Sequence, residues 1–189
     1  MMHIYKQAFL ATLLGGLFVT GTAGAQQLTT GGDRYGVFWG QSAGSFAVAH
    51  CAPGSVATGI DVNAGDAVDN VRLICAPVLS NGVLGSPYYA GGAGGDGGGA
   101  YQLRCASGYA VEGFYGKASI GIDRIGVRCR SLDWRYTYTA GFAGGSGGGD
   151  FWDSVNPGEF LTGFNARVAI WNGNMVIRGI AGRYSTIYW

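Results

Sequence analysis

The sequence has few charged residues and few long apolar runs, and each shortage excludes a class of partner. Only 12% of the 189 residues are Asp, Glu, Lys or Arg, and the formal net charge is +1. Nucleic acids and anionic membranes are bound mainly through clustered Lys and Arg side chains, so we predict no nucleic-acid partner. Beyond the N-terminal segment, no stretch approaches the roughly 20 apolar residues that span a bilayer. We therefore also predict no membrane insertion.

Residue patterns for metal binding and catalysis are missing as well. The four cysteines include no Cys-x-x-Cys pair and the chain has only two histidines, so we predict no metal site and no cofactor. A Ser-His-Asp arrangement would need His50, which precedes a cysteine in a predicted strand and is interpreted as structural. Neither glycine run ends in Gly-Lys-Ser/Thr, as a phosphate-binding loop does. The sequence therefore predicts a protein that is not an enzyme.

The N-terminal segment has the parts of a secretory signal peptide. Lys6 precedes an apolar run over residues 8–19, and small residues follow up to Ala25. A membrane anchor is the alternative reading, but the run is too short to cross a bilayer. We predict a signal peptide over residues 1–25 and a secreted, extracellular protein, or a periplasmic one if the organism is bacterial.

The rest of the chain has the composition of a sheet protein. Thirty-seven glycines and few Lys, Glu or Leu residues disfavour helices, whereas the frequent Tyr, Phe, Val, Ile and Thr residues suit strands. We expect one all-β domain over residues 26–189, a length that one hydrophobic core can serve.

Three copies of one unit fill this domain. A shift of 50 residues aligns the second and third copies without a gap, and the three copies cover about 35–79, 88–133 and 138–185. Apolar and other residues alternate from Ile125 to Arg130, which is typical of a half-buried strand. We predict that each copy forms one small antiparallel sheet and that three sheets pack their apolar faces around a shared axis.

The cysteines follow the repeat. Cys51 and Cys75 are separated by 24 positions, as are Cys105 and Cys129, so we predict two equivalent disulfides, Cys51–Cys75 and Cys105–Cys129. Such a bridge contributes about 3 kcal/mol through the unfolded state. The ungapped alignment puts Val155 and Gly179 at the corresponding positions of the third copy, which therefore lacks a bridge.

The segments between paired cysteines resemble two protein families. Residues 51–75 read CAPGSVATGIDVNAGDAVDNVRLIC and resemble the repeat of vitelline membrane outer layer protein I. Residues 111–129 read VEGFYGKASIGIDRIGVRC and are similar to the matching segment of jacalin-related lectins. Both families have the type I β-prism fold, three antiparallel Greek-key sheets with pseudo-threefold symmetry. The resemblance implies this fold for the present chain.

The lectin resemblance also implies a binding site, since those lectins bind sugar with a Gly-x-x-x-Asp loop beside a glycine-rich loop. In this sequence the intact motif and its companion loop comprise Gly65, Asp66, Ala67, Val68 and Asp69 with Gly94, Gly95, Asp96 and Gly97. By resemblance, Asp69 would accept hydrogen bonds from sugar hydroxyls and the amides of Asp66 and Ala67 would donate to the sugar.

The other two copies depart from the motif. The second has Ser119, Ile120, Gly121, Ile122 and Asp123 beside Gly144 and Gly145, with serine at the first glycine position. The third reads Ala169 to Gly173 and lacks the carboxylate. An Asp before a strand also commonly binds its own turn. Among the aromatic residues, Tyr115 and Trp171 lie closest to these loops and are the best candidates for stacking on a sugar.

Three functions follow from these resemblances. The first is a secreted carbohydrate-binding protein for neutral glycans or polysaccharides, with mannose or glucose favoured over galactose. The second is a structural or protective extracellular protein of the vitelline outer-layer type, without sugar affinity. The third is a secreted toxin or inhibitor that acts on a protein target.

Overall fold

The computed structural model describes residues 29–153 and 155–188, so the predicted signal peptide lies outside the described residues. This part of the chain contains thirteen strands: β1 (Thr29–Tyr35), β2 (Trp39–Gly40), β3 (Ser45–His50), β4 (Ser55–Ala64), β5 (Val68–Pro77), β6 (Tyr88–Gly94), β7 (Gly99–Arg104), β8 (Tyr109–Ala118), β9 (Ile122–Ser131), β10 (Thr137–Gly144), β11 (Gly149–Trp152), β12 (Glu159–Trp171) and β13 (Asn174–Tyr188). No helix long and apolar enough to cross a membrane occurs in these residues.

The strands form three antiparallel sheets, each built on a central hairpin with an outer strand on either side. Sheet I has the order β6-β5-β4-β7 and sheet II the order β10-β9-β8-β11. Sheet III has the order β1-β13-β12-β3, with the short β2 also paired to β13. The all-β class and the three Greek-key sheets of a β-prism are therefore confirmed.

The prediction that each sequence copy forms one sheet is wrong. In the second copy, β6 and β7 flank the hairpin β4–β5 of the first copy, and only β8 and β9 begin a new sheet. Sheet III closes the prism with strands from both ends of the described chain. Apolar alternation identifies a strand and its buried face, but it does not specify which hairpin an outer strand joins.

The third hairpin is longer than the other two. Three residues lie between the paired Ala118 and Ile122 in sheet II, whereas eight lie between the paired Val168 and Ile177 in sheet III. The ungapped alignment is therefore wrong beyond this hairpin. Tyr184, and not Gly179, is the counterpart of the cysteine in β9, because Leu161 pairs with Tyr184 as Val111 pairs with Cys129.

The core lies where the three sheets face one another. Each central hairpin contributes large side chains that are at most 2% exposed, among them Ile60, Leu73, Phe114, Val127, Phe164 and Ile180. The rings of Phe114 and Phe164 meet edge to face, with centroids 6.4 Å apart, which joins sheets II and III. Burying a side chain of this kind stabilises the fold by about 1.5–3 kcal/mol.

We use the word seam for the line where two sheets meet. The predicted disulfides are confirmed, and each closes a seam between two sheets. Cys51 follows β3 of sheet III and binds Cys75 of sheet I at the first seam. Cys105 follows β7 of sheet I and binds Cys129 of sheet II at the second seam. Two of the three seams are thus covalently closed.

The third seam, between sheets II and III, is closed by a buried polar cluster. Asp153 is 2% exposed and lies directly after β11. Its carboxylate accepts hydrogen bonds from Trp39 Nε1 at 2.9 Å, from the Phe114 amide at 3.3 Å and from the Tyr184 hydroxyl. A carboxylate suits this position because its three partners are all donors.

Candidate functional site

The three central hairpins turn at the same end of the prism and meet there. Their turns enclose a cavity of about 20 Å³, lined by Ala67 of sheet I, by Ile120, Gly121 and Asp123 of sheet II, and by Trp171, Val176 and Arg178 of sheet III. A space of this size holds about one water molecule. The predicted site residues of all three copies therefore belong to one end of the molecule.

In sheet I the glycine-rich loop packs against the carboxylate of Asp69. The amide of Gly95 donates to the Asp69 carbonyl at 2.9 Å. A Cβ atom added to Gly97 would lie 2.6 Å from Asp69 Oδ1, and one added to Gly98 would lie 2.6 Å from Oδ2. A side chain at position 97 would require the carboxylate to move, and at position 98 it would also clash with the Ala64 backbone, so glycine is required for this close approach.

Burial governs the electrostatics of Asp69. The residue is 7% exposed. Desolvation raises the pKa of its carboxyl, and the backbone amide of Gly65 partly offsets that rise. The neighbouring Asp66 is exposed and Ala67 is half-buried. The loop thus presents one desolvated acceptor beside an exposed turn.

The structure brings residues 65–69 and 94–97 together as the sequence predicted, although they differ in what they contribute. Val68 is fully buried and belongs to the core. The amide of Gly65 donates to the Ala67 carbonyl at 3.0 Å and closes the turn. Asp96 is exposed at the tip of the glycine loop. The chemistry available at the surface therefore comes from Asp66, Ala67, Asp69 and the glycine backbone.

The site in sheet II has the same framework with one change. The amide of Gly145 donates to the Asp123 carbonyl at 2.7 Å, and a Cβ atom on Gly148 would lie 2.6 Å from Asp123 Oδ2. The hydroxyl of Ser119 donates to the same Oδ2 at 2.8 Å. The serine that replaces the first glycine of the motif thus occupies one oxygen of the carboxylate.

Sheet III has an arginine where the other sheets have the carboxylate. The expectation that residues 169–173 occupy this position is wrong, because the longer hairpin moves Arg178 there. The backbone amide of Gln41 donates to the Arg178 carbonyl at 2.7 Å, and Arg178 Nη2 donates to the side-chain Oε1 of Gln41 at 2.6 Å. Gly40 and Gly44 both have a positive φ, as Gly94 and Gly98 do. The two glycines of each pair are separated by the same number of residues, and this shared spacing was the signal in the sequence for the third loop.

Neighbouring loops also contact one another. Gly145 of sheet II packs against the backbone of Asp66, since a Cβ atom on this glycine would lie 3.1 Å from the Asp66 Cα. Gly95 of sheet I packs against Met175 of the long hairpin, where the corresponding distance to the Met175 Cβ is 2.9 Å. The loop end is therefore a continuous surface with contacts from sheet to sheet.

The two aromatic residues predicted for stacking are placed differently. Tyr115 is half-buried, and its hydroxyl donates to the Gly141 carbonyl at 2.9 Å. Trp171 is 37% exposed and lines the cavity between the hairpins. In the described part of the chain, no group of His, Cys, Asp and Glu residues has the arrangement of a metal site.

No protein-family model and no curated protein matches the sequence. Several solved structures resemble it in fold. A Malaysian banana lectin superposes with a TM-score of 0.58 at 18% identity and covers 83% of this chain and 100% of its own. A mannose-binding jacalin-related lectin from Ananas comosus has a TM-score of 0.58 at 17% identity over 82% and 99% of the two chains. The agglutinin of Calystegia sepium has a TM-score of 0.58 at 17% identity over 84% and 99%. The chain has the type I β-prism fold of the jacalin-related lectins.

Proposed function

We propose that this protein is a secreted lectin that binds neutral hexose residues of glycans at the loop end of sheet I. Asp69 is the acceptor for sugar hydroxyls, and the backbone of residues 66–67 and the glycine loop supplies donors. The single observation that supports this assignment most is the close packing of Gly97 and Gly98 against both oxygens of the Asp69 carboxylate.

The chemistry of the site favours an uncharged ligand with vicinal hydroxyls. A desolvated carboxylate forms stronger hydrogen bonds than one in water, and a hydroxyl can donate to it while accepting from a backbone amide. The described residues that form the site include no cation for an anionic sugar. A structural neighbour from Ananas comosus is described as mannose-binding, and Artocarpin as a lectin with mannose specificity. Mannose is therefore the favoured hexose.

Asp123 is the weaker of the two carboxylate sites in this proposal. Its Oδ2 already accepts a hydrogen bond from Ser119, so a sugar hydroxyl must compete with an intramolecular donor. Asp69 has no serine at the corresponding position, because Gly65 stands there. We therefore assign the main affinity to sheet I.

Secretion is part of the proposal. Disulfides persist in oxidising compartments, and the two bridges join neighbouring sheets of the prism. A protein stabilised in this way suits the extracellular space.

Isothermal titration calorimetry with methyl α-mannoside and a biantennary N-glycan tests the assignment. We expect Asp69→Ala to weaken binding at least tenfold, whereas Asp123→Ala, which removes the equivalent carboxylate of sheet II, changes it less. Equal affinity of wild type and Asp69→Ala would show that the site is elsewhere. A wild type that binds no sugar on a glycan array would favour the structural or protective function instead.

A further inference from the structure

A second surface with sugar-binding chemistry lies along the third seam, at β2 and β11. Three aromatic residues, Trp39, Phe151 and Trp152, together with Asp150, line a depression of about 280 Å³. We refer to these four residues as the seam cleft. From the sequence, Trp39 and Trp152 were weaker candidates for sugar stacking than Tyr115 and Trp171.

Two of the rings are fixed and the third is open. Phe151 is 6% exposed and stacks on Trp39, with ring centroids 5.2 Å apart and an interplanar angle of 22°. The Trp39 indole is held in place by its hydrogen bond to Asp153. Trp152 points to the opposite face of β11 and is 71% exposed, the largest value for a large apolar side chain in the described residues. Phe151 and Trp39 therefore form the rigid base of the cleft, and the Trp152 indole is exposed to solvent.

The other two seams have no tryptophan at the positions of Trp39 and Trp152. Trp39 precedes Gly40 as Ala93 precedes Gly94 and Ala143 precedes Gly144, so the other two sheets have alanine at this position. Strand register places Trp152 opposite Tyr115 in sheet II, and the same position in sheet I is Gln102, opposite Asp61. The two tryptophans are thus particular to the third seam.

Charged groups stand beside the exposed indole. Asp150 and Trp152 are two residues apart in one strand and so project from the same face. The Asp150 side chain is 85% exposed, and Lys117 Nζ lies 2.8 Å from its Oδ1. The hydrogen bond from Lys117 lowers the pKa of this carboxyl. An acceptor and a donor therefore flank one flat apolar ring.

This combination matches the two-sided chemistry of a pyranose. One face of the sugar ring carries C–H groups that pack on an aromatic face, while its hydroxyls donate to a carboxylate and accept from an ammonium group. A second copy of this chain is a poorer match, because a stable protein interface buries about 800 Å² on each partner. The seam cleft is a small depression with charged residues at its border.

We propose that the seam cleft is a second carbohydrate-binding site, in which the Trp152 indole stacks on a pyranose ring and Asp150 and Lys117 bind its hydroxyls. The site shares its ligand class with the proposed function but uses none of the same residues. It would give the protein two separate contacts with a branched glycan or with a polysaccharide.

The test follows the indole N–H signal of Trp152 by NMR while a biantennary N-glycan is added. Trp152→Phe assigns the signal, and Asp69→Ala removes the contribution of the loop site. We expect the Trp152 signal to shift saturably in wild type and in Asp69→Ala. Trp152→Ala should weaken the residual glycan binding of Asp69→Ala at least tenfold. Tyr136→Ala, which removes another aromatic side chain that is 64% exposed, is the matched control and should leave it unchanged.

The outcomes separate the two sites. If the loop site binds the glycan and the Trp152 signal does not move, the seam cleft is not a site and the proposed function stands. If the Trp152 signal shifts and Asp69→Ala changes nothing, the cleft binds sugar and the loop assignment fails. If Trp152→Ala instead converts a dimer to a monomer in sedimentation velocity, the cleft is a protein interface and the inference is overturned.

Discussion

Tyr184 lies where the second cysteine of the other two seams is found, and its hydroxyl donates a hydrogen bond to the buried carboxylate of Asp153. Two seams are closed by a covalent bond and the third by an acceptor with three donors. The network continues outward, because the Arg34 guanidinium lies 5.0 Å from the centre of the Tyr184 ring and forms an ion pair with Glu159. The three equivalent seams of the prism are thus closed by two different kinds of interaction, disulfide bonds and a buried hydrogen-bond cluster.

Tyr184→Phe should test what this hydrogen bond contributes. The variant keeps the ring and removes the hydroxyl, so we expect the free energy of unfolding to fall by about 1.5–3 kcal/mol, the range for a hydrogen bond to a charged group. Urea unfolding followed by circular dichroism measures the change. Tyr115→Phe is the control, since it removes a hydroxyl that donates to the neutral Gly141 carbonyl, and it should cost about 1 kcal/mol or less. An equal loss of unfolding free energy in the two variants would mean that the charge of the Asp153 carboxylate does not strengthen the hydrogen bond.

The same tyrosine predicts a loss of stability in alkali. Burial, and next the charge of Asp153, raise the pKa of Tyr184 well above its usual value. In the unfolded chain the Tyr184 hydroxyl has the ordinary tyrosine pKa of about 10 and loses its proton there. The folded chain still retains the proton at that pH. The contribution of Tyr184 to stability is complete below pH 10 and is lost as the pH rises toward the folded pKa. We expect the free energy of unfolding of wild type to fall more steeply above pH 10 than that of Tyr184→Phe, and parallel curves would contradict this assignment.

The sequence predicted the strands and the disulfides correctly for identifiable reasons. Alternation from Ile125 to Arg130 reports the two faces of a strand directly, and β9 covers this segment. The equal spacing of the cysteine pairs reflects a true structural repeat, which is why the pairing Cys51–Cys75 and Cys105–Cys129 was recoverable. Both signals are local, or depend on positions that the insertion in the third hairpin does not affect.

The errors come from one insertion and from strand partnership. Five additional residues in the third hairpin shift every later position, so Gly179 and Gly173 were aligned where Tyr184 and Arg178 stand. No spacing rule predicts that an outer strand such as β7 joins the hairpin before it, since that choice is made by packing among distant segments. The exposure of the Trp152 side chain could not be predicted from the sequence either, because strand alternation does not indicate which edge strands remain accessible to solvent.

Exposure predicts the order in which the disulfides are reduced. Cys51 is 8% exposed and its partner Cys75 is fully buried, whereas Cys105 is half-buried. Thiol–disulfide exchange requires access of the attacking thiolate to a sulfur atom, so dithiothreitol under native conditions should open Cys105–Cys129 first. Alkylation followed by peptide mass spectrometry identifies the free thiols. Simultaneous release of all four would instead indicate reduction through global unfolding.

Gly97 and Gly99 offer a matched pair for the glycine loop. A Cβ atom at Gly97 would lie 2.6 Å from Asp69 Oδ1, whereas the nearest atom to a Cβ atom at Gly99 is a Tyr101 ring carbon at 3.6 Å. Gly97→Ala should therefore displace the carboxylate and weaken binding of methyl α-mannoside at least tenfold, while Gly99→Ala should bind as wild type does. Calorimetry measures both, and comparable affinity in the two variants would mean that the position of the carboxylate does not matter.

Ser119→Gly should create a second competent site in sheet II. The substitution restores the Gly-x-x-x-Asp pattern and removes the hydroxyl that donates to Asp123 Oδ2 at 2.8 Å. The freed oxygen can then accept a sugar hydroxyl, with the glycine loop around Gly147 and Gly148 already packed against the carboxylate. We expect the affinity for methyl α-mannoside at the loop end to rise when Ser119→Gly is introduced into Asp69→Ala, and to fall back to the level of Asp69→Ala or below on adding Asp123→Ala. Ser119→Thr, which keeps the hydroxyl, is the control and should not raise the affinity. If Ser119→Gly leaves the affinity of the Asp69→Ala protein for methyl α-mannoside at the loop end unchanged, the intramolecular hydrogen bond is not what separates the two sites.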